Sequence, residues 1–204
     1  MSSTATATAT AAAFTSTTAL VVPPIKHAII HKSLYRGSQP RPLNYPYLKS
    51  LSLTTLIALT PDPPSASLIE FCNDNHLKLN HFQINKNTKN KGKNRGVPIT
   101  HEQVCQILQI ISTRSSGITY LFCENGGQIT SLIIACLRKI ELWASVSIWD
   151  EFATFAGTVN QVDRVFVENW VACFQINDKV DWLWNGLSDV VIKNHPALKN
   201  VGML

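Results

Sequence analysis

Charged residues are scarce in this chain, and several patterns typical of particular protein classes are absent. Only 15% of the 204 residues are charged, against 45% that are hydrophobic. A core is therefore available, and full disorder is excluded. No segment approaches the roughly twenty uninterrupted apolar residues of a membrane-spanning helix, so we expect no membrane association. The length suits one domain of ordinary size.

The five cysteines and six histidines form no recognisable ligand pattern. The cysteines are odd in number, widely spaced and without a C-x-x-C pair, which excludes a disulfide framework and a zinc ribbon. We therefore expect no metal and no cofactor. Without a convincing signal peptide, this usage of cysteine indicates a reducing, cytoplasmic compartment.

Charge is also missing from the first 19 residues, which are nearly all Ser, Thr and Ala. Such a segment has little to bury, so we expect a disordered tail. A mitochondrial transit peptide is the alternative, because no acidic residue occurs before Asp62. Those peptides carry Arg on an amphipathic face, however, and the first Arg here is Arg36.

Positive charge is concentrated in the first half of the chain. Residues 1–100 have eleven basic and three acidic side chains, and residues 101–204 have seven and ten. This distribution indicates a local anionic partner and argues against nucleic acid. Five cations fall within ten residues: Lys86, Lys89, Lys91, Lys93 and Arg95. They form either a solvated loop or a surface that surrounds a multiply charged anion.

Strand and helix patterns alternate through the first two thirds of the chain. Apolar or alternating segments predict strands at 54–59, 77–84 and 118–122. Helices are predicted at 67–73, 104–111, 130–143, 145–156 and 160–175. Residues 67–70 and 100–103 have the spacing of a capping box, which marks the starts of the first two. The alternation predicts an α/β fold with a central, mostly parallel sheet flanked by helices.

We divide the chain into a tail at 1–19, a domain at 20–175 and a C-terminal segment at 176–204. The C-terminal segment contains Trp182 and Trp184. Its sequence leaves open whether it packs back on the domain or contacts a partner.

The most informative stretch is the strand, turn and helix between Ile118 and Thr130. Backbone N–H groups in a glycine-containing turn, together with the helix dipole, form a cradle for an anion. Cys123 ends the strand and faces that field, which favours its thiolate. Cys123 is therefore a candidate nucleophile toward a phosphorylated substrate. A buried structural cysteine is the alternative.

Several blocks give the chain a family resemblance, among them residues 20–24 (LVVPP), 34–40 (LYRGSQP), 44–59, 136–139 (CLRK) and 155–157 (FAG). They resemble the atypical dual-specificity phosphatases of plants and fungi, within the protein tyrosine phosphatase superfamily. The similarity covers roughly residues 20–172 and is strongest to the fungal oxidant-induced cell-cycle arrest group. It implies a compact protein-tyrosine-phosphatase-like fold.

The resemblance also implies a site with the pattern His-Cys, five residues, Arg, then Ser or Thr. The Cys attacks phosphorus, the Arg binds phosphoryl oxygens and an acid on another loop protonates the leaving group. Cys123 matches the nucleophile, and Thr130 matches the hydroxyl beside it. The phosphate-binding loop between them would consist of Glu124, Asn125, Gly126, Gly127, Gln128 and Ile129.

The chain departs from this pattern where the chemistry is most demanding. Ile129 replaces the Arg, Phe122 replaces the His, and Glu124 adds negative charge. No acidic residue lies between Asp74 and Glu102, where the family places its acid. We therefore predict a catalytically impaired protein.

Such a protein would bind a phosphorylated small molecule or phosphoprotein, or join related phosphatase-like proteins in a hetero-oligomer. The alternative is a weakly active cysteine-dependent phosphatase, acting through Cys123 on phosphotyrosine or inositol pyrophosphates. The cations at 86–95 would then replace the Arg. A redox role for Cys123 is a third hypothesis, weakened by the lack of an evident resolving cysteine.

Overall fold

The structure, a computed structural model, describes residues 21–86, 96–176, 178–195, 198 and 201–203. The predicted tail at 1–19 lies outside these residues. The strands of the central sheet are β1 (Ala28–His31), β2 (Leu34–Ser38), β3 (Thr55–Thr60), β4 (Lys78–Gln83) and β5 (Thr119–Cys123). The helices are α1 (Tyr45–Ser50), α2 (Ala66–Asp74), α3 (His101–Ser112), α4 (Gln128–Ile140), α5 (Ser145–Ala156), α6 (Gln161–Asn169) and α7 (Asp189–Asn194). In this part of the chain, none of the helices is both long and apolar enough to span a bilayer.

The five strands are arranged in the order β1-β2-β5-β3-β4, with β5 in the centre. Strand β5 runs parallel to β2 and β3, β4 runs parallel to β3, and only β1 is antiparallel to its neighbour. The predicted mostly parallel sheet with flanking helices is therefore confirmed. All five residues of β5 are buried, as expected for a central parallel strand covered on both faces.

Each face of the sheet contributes to its own apolar cluster. Ile57, Leu59 and Leu121 pack with helices α3 to α6. Leu56 and Phe122, one position along in each strand, pack with α1 and α2. Alternate residues of each strand thus pack on opposite faces of the sheet. Because both faces are covered, these strands are continuous apolar runs and do not alternate between apolar and polar residues.

The N-terminal ends of helices α2 and α3 show which of the two predicted capping boxes forms. Helix α3 begins as predicted, because the Thr100 hydroxyl accepts the Gln103 N–H at 3.2 Å while the Gln103 side chain accepts the Thr100 N–H at 3.1 Å. Helix α2 begins at Ala66, one residue before the predicted range 67–73. Its N-cap is Ser65, which accepts the N–H of Leu68 at 3.4 Å, so the capping box at 67–70 is wrong.

The helix predicted at 160–175 is also too long, since α6 ends at Asn169. The ammonium of Lys139 on α4 donates to the carbonyls of Val167, Glu168 and Trp170 at 3.0, 2.8 and 2.7 Å. This cation satisfies the carbonyls at the helix end and complements its dipole. Beyond it, β6 (Phe174–Ile176) pairs in parallel with β7 (Val201–Met203).

The C-terminal segment, whose structure the sequence left open, packs on the domain. Leu183 and Trp184 are buried in the same apolar cluster as α4, and the indole N–H of Trp184 donates to the Ile140 carbonyl at 2.7 Å. The ring of Trp182 stacks on that of His31 with centroids 4.1 Å apart. The described part of this segment therefore packs back on the domain.

Candidate functional site

Cys123 ends the central strand and lies at the carboxyl edge of the parallel sheet. It is 1% exposed and is paired in register with Ser38 of β2 on one side and Leu59 of β3 on the other. The carboxyl edge of an open parallel sheet is the usual place for a ligand site. We call residues 123–129 the Cys123 loop.

The loop makes its sharp turn at Gly126. This residue has a φ of +64°, and a Cβ on it would lie 2.6 Å from the carbonyl carbon of Gly37 and 2.7 Å from the amide nitrogen of Ser38. Both the left-handed backbone and the close approach to β2 require glycine. The loop is thereby pressed against the end of β2.

Asn125 organises the inside of the loop. Its side-chain oxygen accepts the backbone N–H of Gly127 at 2.9 Å and lies 3.7 Å from the sulfur of Cys123. The Gly127 N–H is one of the donors that a phosphate group bound at the start of α4 would use. In this structure that donor is already satisfied by Asn125.

The first residue of α4 is held from the outside of the loop. The side-chain amide of Gln128 donates to Asp163 at 2.6 Å, and Asp163 is 1% exposed. Asp163 lies in the first turn of α6, where its negative charge also complements the helix dipole. This contact ties the start of α4 to α6.

Arg36 lies behind the loop and is completely buried. One of its terminal nitrogens, Nη2, donates to the Gly126 carbonyl at 3.0 Å and to the Ser131 hydroxyl at 2.8 Å, and its guanidinium carbon lies 3.8 Å from the centroid of the Phe155 ring. Burial lowers the pKa of Arg36 to about 10, while Glu151 and Cys123 act in the opposite direction. The guanidinium therefore stays charged at neutral pH. Within the described residues its Nε and Nη1 have no hydrogen-bond partner.

A cavity of about 740 Å³ opens beside the loop. Glu124 and Asn125 form one wall, and the cations Lys26 and Arg41 lie in its lining. The Lys26 ammonium reaches over the loop, since it would lie only 3.2 Å from a Cβ placed on Gly127. The organic part of a ligand whose phosphate sits on the loop has room in this cavity.

The positions identified by the family pattern occupy different environments. Thr130 is completely buried, and its hydroxyl has no hydrogen-bond partner among the residues that the structure describes. Ile129 is partly buried and packs against the apolar cluster on the α4 face. Glu124 is exposed. Phe122 lies on the other face of the sheet, in the apolar cluster with α1 and α2, and its ring stacks on that of Tyr120.

The basic segment can be placed only in part, because Lys89, Lys91, Lys93 and Arg95 lie outside the described residues. Lys86 is exposed and pairs with Asp62 at 2.8 Å. This hydrogen bond, with a smaller contribution from Glu124, raises the pKa of the Lys86 ammonium. In the structure, the Lys86 ammonium is therefore paired with the Asp62 carboxylate.

Sequence reasoning did not identify four residues of this region: Lys26, Arg36, Asp62 and Asp163. Arg36 lies within the block at 34–40 that carries the family resemblance, so a signal for it existed. The other three are isolated charges in sequence, and only the fold brings them near the loop. Among the described residues, no cluster of three or more His, Cys, Asp or Glu side chains could hold a metal ion.

Comparison with known proteins agrees with this geometry. The model of the family described as "Tyrosine phosphatase family" matches residues 21–188. The Saccharomyces cerevisiae protein named "Putative tyrosine-protein phosphatase OCA6" is 33% identical over 177 residues, which cover 80% of this chain and 79% of that protein. The Mycosarcoma maydis protein named "Putative tyrosine-protein phosphatase OCA1" is 30% identical over 155 residues, covering 76% and 94%.

A solved structure is similar over much of the same region. It is the core catalytic domain of the PP-IP phosphatase SIW14 from S. cerevisiae, with a TM-score of 0.66 and 25% identity. The match covers 74% of this chain and 88% of that one. The resemblance identified from the sequence is therefore confirmed, and the chain belongs to the tyrosine phosphatase family.

Proposed function

We propose that this protein binds a phosphorylated ligand at the Cys123 loop and hydrolyses it slowly or not at all. The observation that carries the proposal is Ile129, which stands six residues after Cys123 and packs against the core. The loop keeps the strand-turn-helix geometry that suits an anion, while the position that should bind the phosphoryl oxygens has no donor.

The missing donor affects the transition state more than the bound ground state. An Arg at this position binds phosphate with two parallel hydrogen bonds and stabilises charge that grows during phosphoryl transfer. Loss of one preorganised donor typically slows a reaction by about 10²–10³. Binding can persist, because the start of α4 and the nearby cations still attract an anion.

A general acid is the second requirement of the family reaction. The segment between Asp74 and Glu102 contains no carboxylate, and Asp62, at the carboxyl end of β3, is paired with Lys86. Loss of a general acid costs about 10²–10⁴ in rate. The two losses need not multiply, since catalytic groups act as a unit. Both support binding over turnover.

The second candidate function is slow phosphatase activity through Cys123. The observation that favours it is the buried guanidinium of Arg36, whose charge interacts with Cys123 from behind the loop. Phosphotyrosine and inositol pyrophosphates are the substrate classes to test, and SIW14 is described as a phosphatase of the second class.

The experiment measures binding and turnover on the same purified 204-residue chain. Thermal shifts and phosphate release are recorded with inorganic phosphate, O-phosphotyrosine and an inositol pyrophosphate. The SIW14 core is the active control, and Cys123→Ser is the control for the nucleophile. We expect a ligand-induced rise in Tm with release at least about 10³-fold slower than that of SIW14.

Two results would contradict the proposal. Release at a rate near that of SIW14, abolished in Cys123→Ser, would show an active phosphatase and establish the second candidate. Neither release nor a thermal shift with any ligand would show that the loop does not bind phosphate. Assembly with related phosphatase-like proteins stays a prediction from the resemblance, and sedimentation of this chain mixed with OCA1 would test it.

A further inference from the structure

The turn that precedes β1 places Lys26 at the mouth of the Cys123 loop. The Pro24 carbonyl accepts the N–H of His27 at 3.2 Å, which closes the turn, and the Ile25 carbonyl accepts the N–H of Ser38 at 2.8 Å. Ser38 is the register partner of Cys123. The backbone of Lys26 is thus fixed against the end of β2, one strand away from Cys123.

The side chain of Lys26 extends from this turn across the loop. A Cβ built on Gly127 would lie 3.2 Å from the Lys26 ammonium and 2.9 Å from the side-chain oxygen of Asn125. The ammonium therefore occupies space that a side chain at position 127 would take. Lys26 is exposed, and within the described residues no hydrogen bond or ion pair involves its ammonium. Its positive charge is available to a ligand.

A second, buried cation lies on the other side of the loop. Arg36 is completely buried and has two nitrogens without a hydrogen-bond partner among the described residues. Its Nη2 contacts the Gly126 carbonyl at 3.0 Å, so its positive charge lies next to the loop. Lys26 above and Arg36 behind therefore bracket the start of α4 with positive charge.

We propose that Lys26 is the residue that contacts the bound phosphate and supplies the charge that Ile129 cannot. The proposal rests on the function proposed above and names the cation of that site. The ligand is a phosphomonoester whose phosphate lies between the start of α4 and the Lys26 ammonium. Its organic part extends into the neighbouring cavity of about 740 Å³, which Lys26 also lines.

A contact from Lys26 would allow the loop to bind phosphate without hydrolysing it quickly. An ammonium on a flexible chain attracts phosphate as a point charge but lacks the planar fork of a guanidinium. It therefore supports binding without reproducing the bidentate contact that stabilises the transition state. Glu124, on the same cavity wall, offsets part of the positive charge that Lys26 and Arg41 bring to the cavity.

The test compares Lys26→Gln with Lys32→Gln in the 204-residue chain. Lys32 is also exposed, but it lies in the turn between β1 and β2, at the opposite end of the hairpin. Both variants lose one positive charge, so any effect of net charge alone is the same. The probes are inorganic phosphate and phenyl phosphate, with Kd measured by calorimetry at low salt.

We expect Lys26→Gln to raise both Kd values about tenfold, the effect of losing one charge-assisted contact. Lys32→Gln should change them less than about twofold, and Lys26→Arg should restore most of the affinity. Equal effects of the two Gln variants, or no effect of Lys26→Gln, would overturn the assignment. If the unaltered protein binds neither probe, the proposed function itself fails, so the two failures are distinguishable.

Discussion

The side-chain oxygen of Asn125 accepts the backbone N–H of Gly127 at 2.9 Å, so the loop satisfies one of its own donors. A phosphate bound at the start of α4 would compete with Asn125 for this N–H. The internal bond holds the loop in its turn without a ligand and at the same time opposes anion binding. Affinity for phosphate thus depends on how easily the Asn125 side chain moves aside.

Asn125→Ala should therefore strengthen phosphate binding. Removing the competing oxygen frees the Gly127 N–H, and one additional hydrogen bond to a charged group should lower the Kd of inorganic phosphate by about three- to tenfold. Calorimetry measures the change. Asn125→Asp is the matched control, because it keeps the acceptor and adds negative charge, and it should weaken binding. Weaker binding by Asn125→Ala would indicate that the Asn125 side chain itself contacts the ligand.

Ile129→Arg should restore part of the missing chemistry. The introduced guanidinium would stand six residues after Cys123, where family members bind the phosphoryl oxygens. We expect phosphate release from phenyl phosphate to rise about 10²-fold over the unaltered protein, the usual contribution of one preorganised donor.

The control for this experiment is Ile129→Met, which has a similar apolar surface and no charge. It should leave release unchanged. A folded Ile129→Arg protein with neither faster release nor tighter phosphate binding would show that position 129 does not face the bound phosphate.

Trp184→Ala should destabilise the whole domain and not only the C-terminal segment. Trp184 is 5% exposed and donates to the Ile140 carbonyl at the end of α4. Truncating a buried Trp leaves a large cavity, so the free energy of unfolding should fall by about 3–5 kcal/mol. Urea denaturation measures it. Leu187→Ala, at a more exposed position of the same segment, should cost less than about 1 kcal/mol. Similar small losses in both variants would mean that this segment is not part of the core.

The Cys136 thiol should make the domain less stable at alkaline pH. Burial raises the pKa of this thiol well above its ordinary value, so it stays protonated in the folded protein. In the unfolded chain it ionises near pH 8.5. Its contribution is therefore complete below that pH and is lost as the pH rises, by about 1.2 kcal/mol between pH 9 and 10.

Denaturation of the unaltered protein and of Cys136→Ala at several pH values isolates this effect. The variant has lower stability overall, but its stability should fall less steeply with pH. Other buried groups contribute equally to both proteins and cancel in the comparison. Cys173→Ala, at an exposed position, should keep the steep slope. Identical slopes for Cys136→Ala and the unaltered protein would contradict the linkage.

The sequence predicts a helix end well where that end depends on residues close to it in the chain. The capping box at 100–103 is confirmed, because the two residues that form it are three positions apart and see little else. The helix predicted at 160–175 failed, because its end is set by Lys139, about thirty residues earlier in the chain. An amphipathic pattern cannot show where a distant cation will satisfy the last carbonyls.

In the candidate site, too, some features follow from the local sequence and others depend on the fold. Local sequence is enough to predict that Cys123 ends a buried strand before a glycine-containing turn, and that Ile129 leaves the turn without its Arg. The fold is what places Arg36 behind this turn and Lys26 across it. Arg36 and Gly126 are 90 residues apart, and they meet because β2 pairs with β5 at the centre of the sheet. Residue types and their spacing along one strand and helix are local properties, whereas the charge around a loop depends on strand order and register, which no single segment contains.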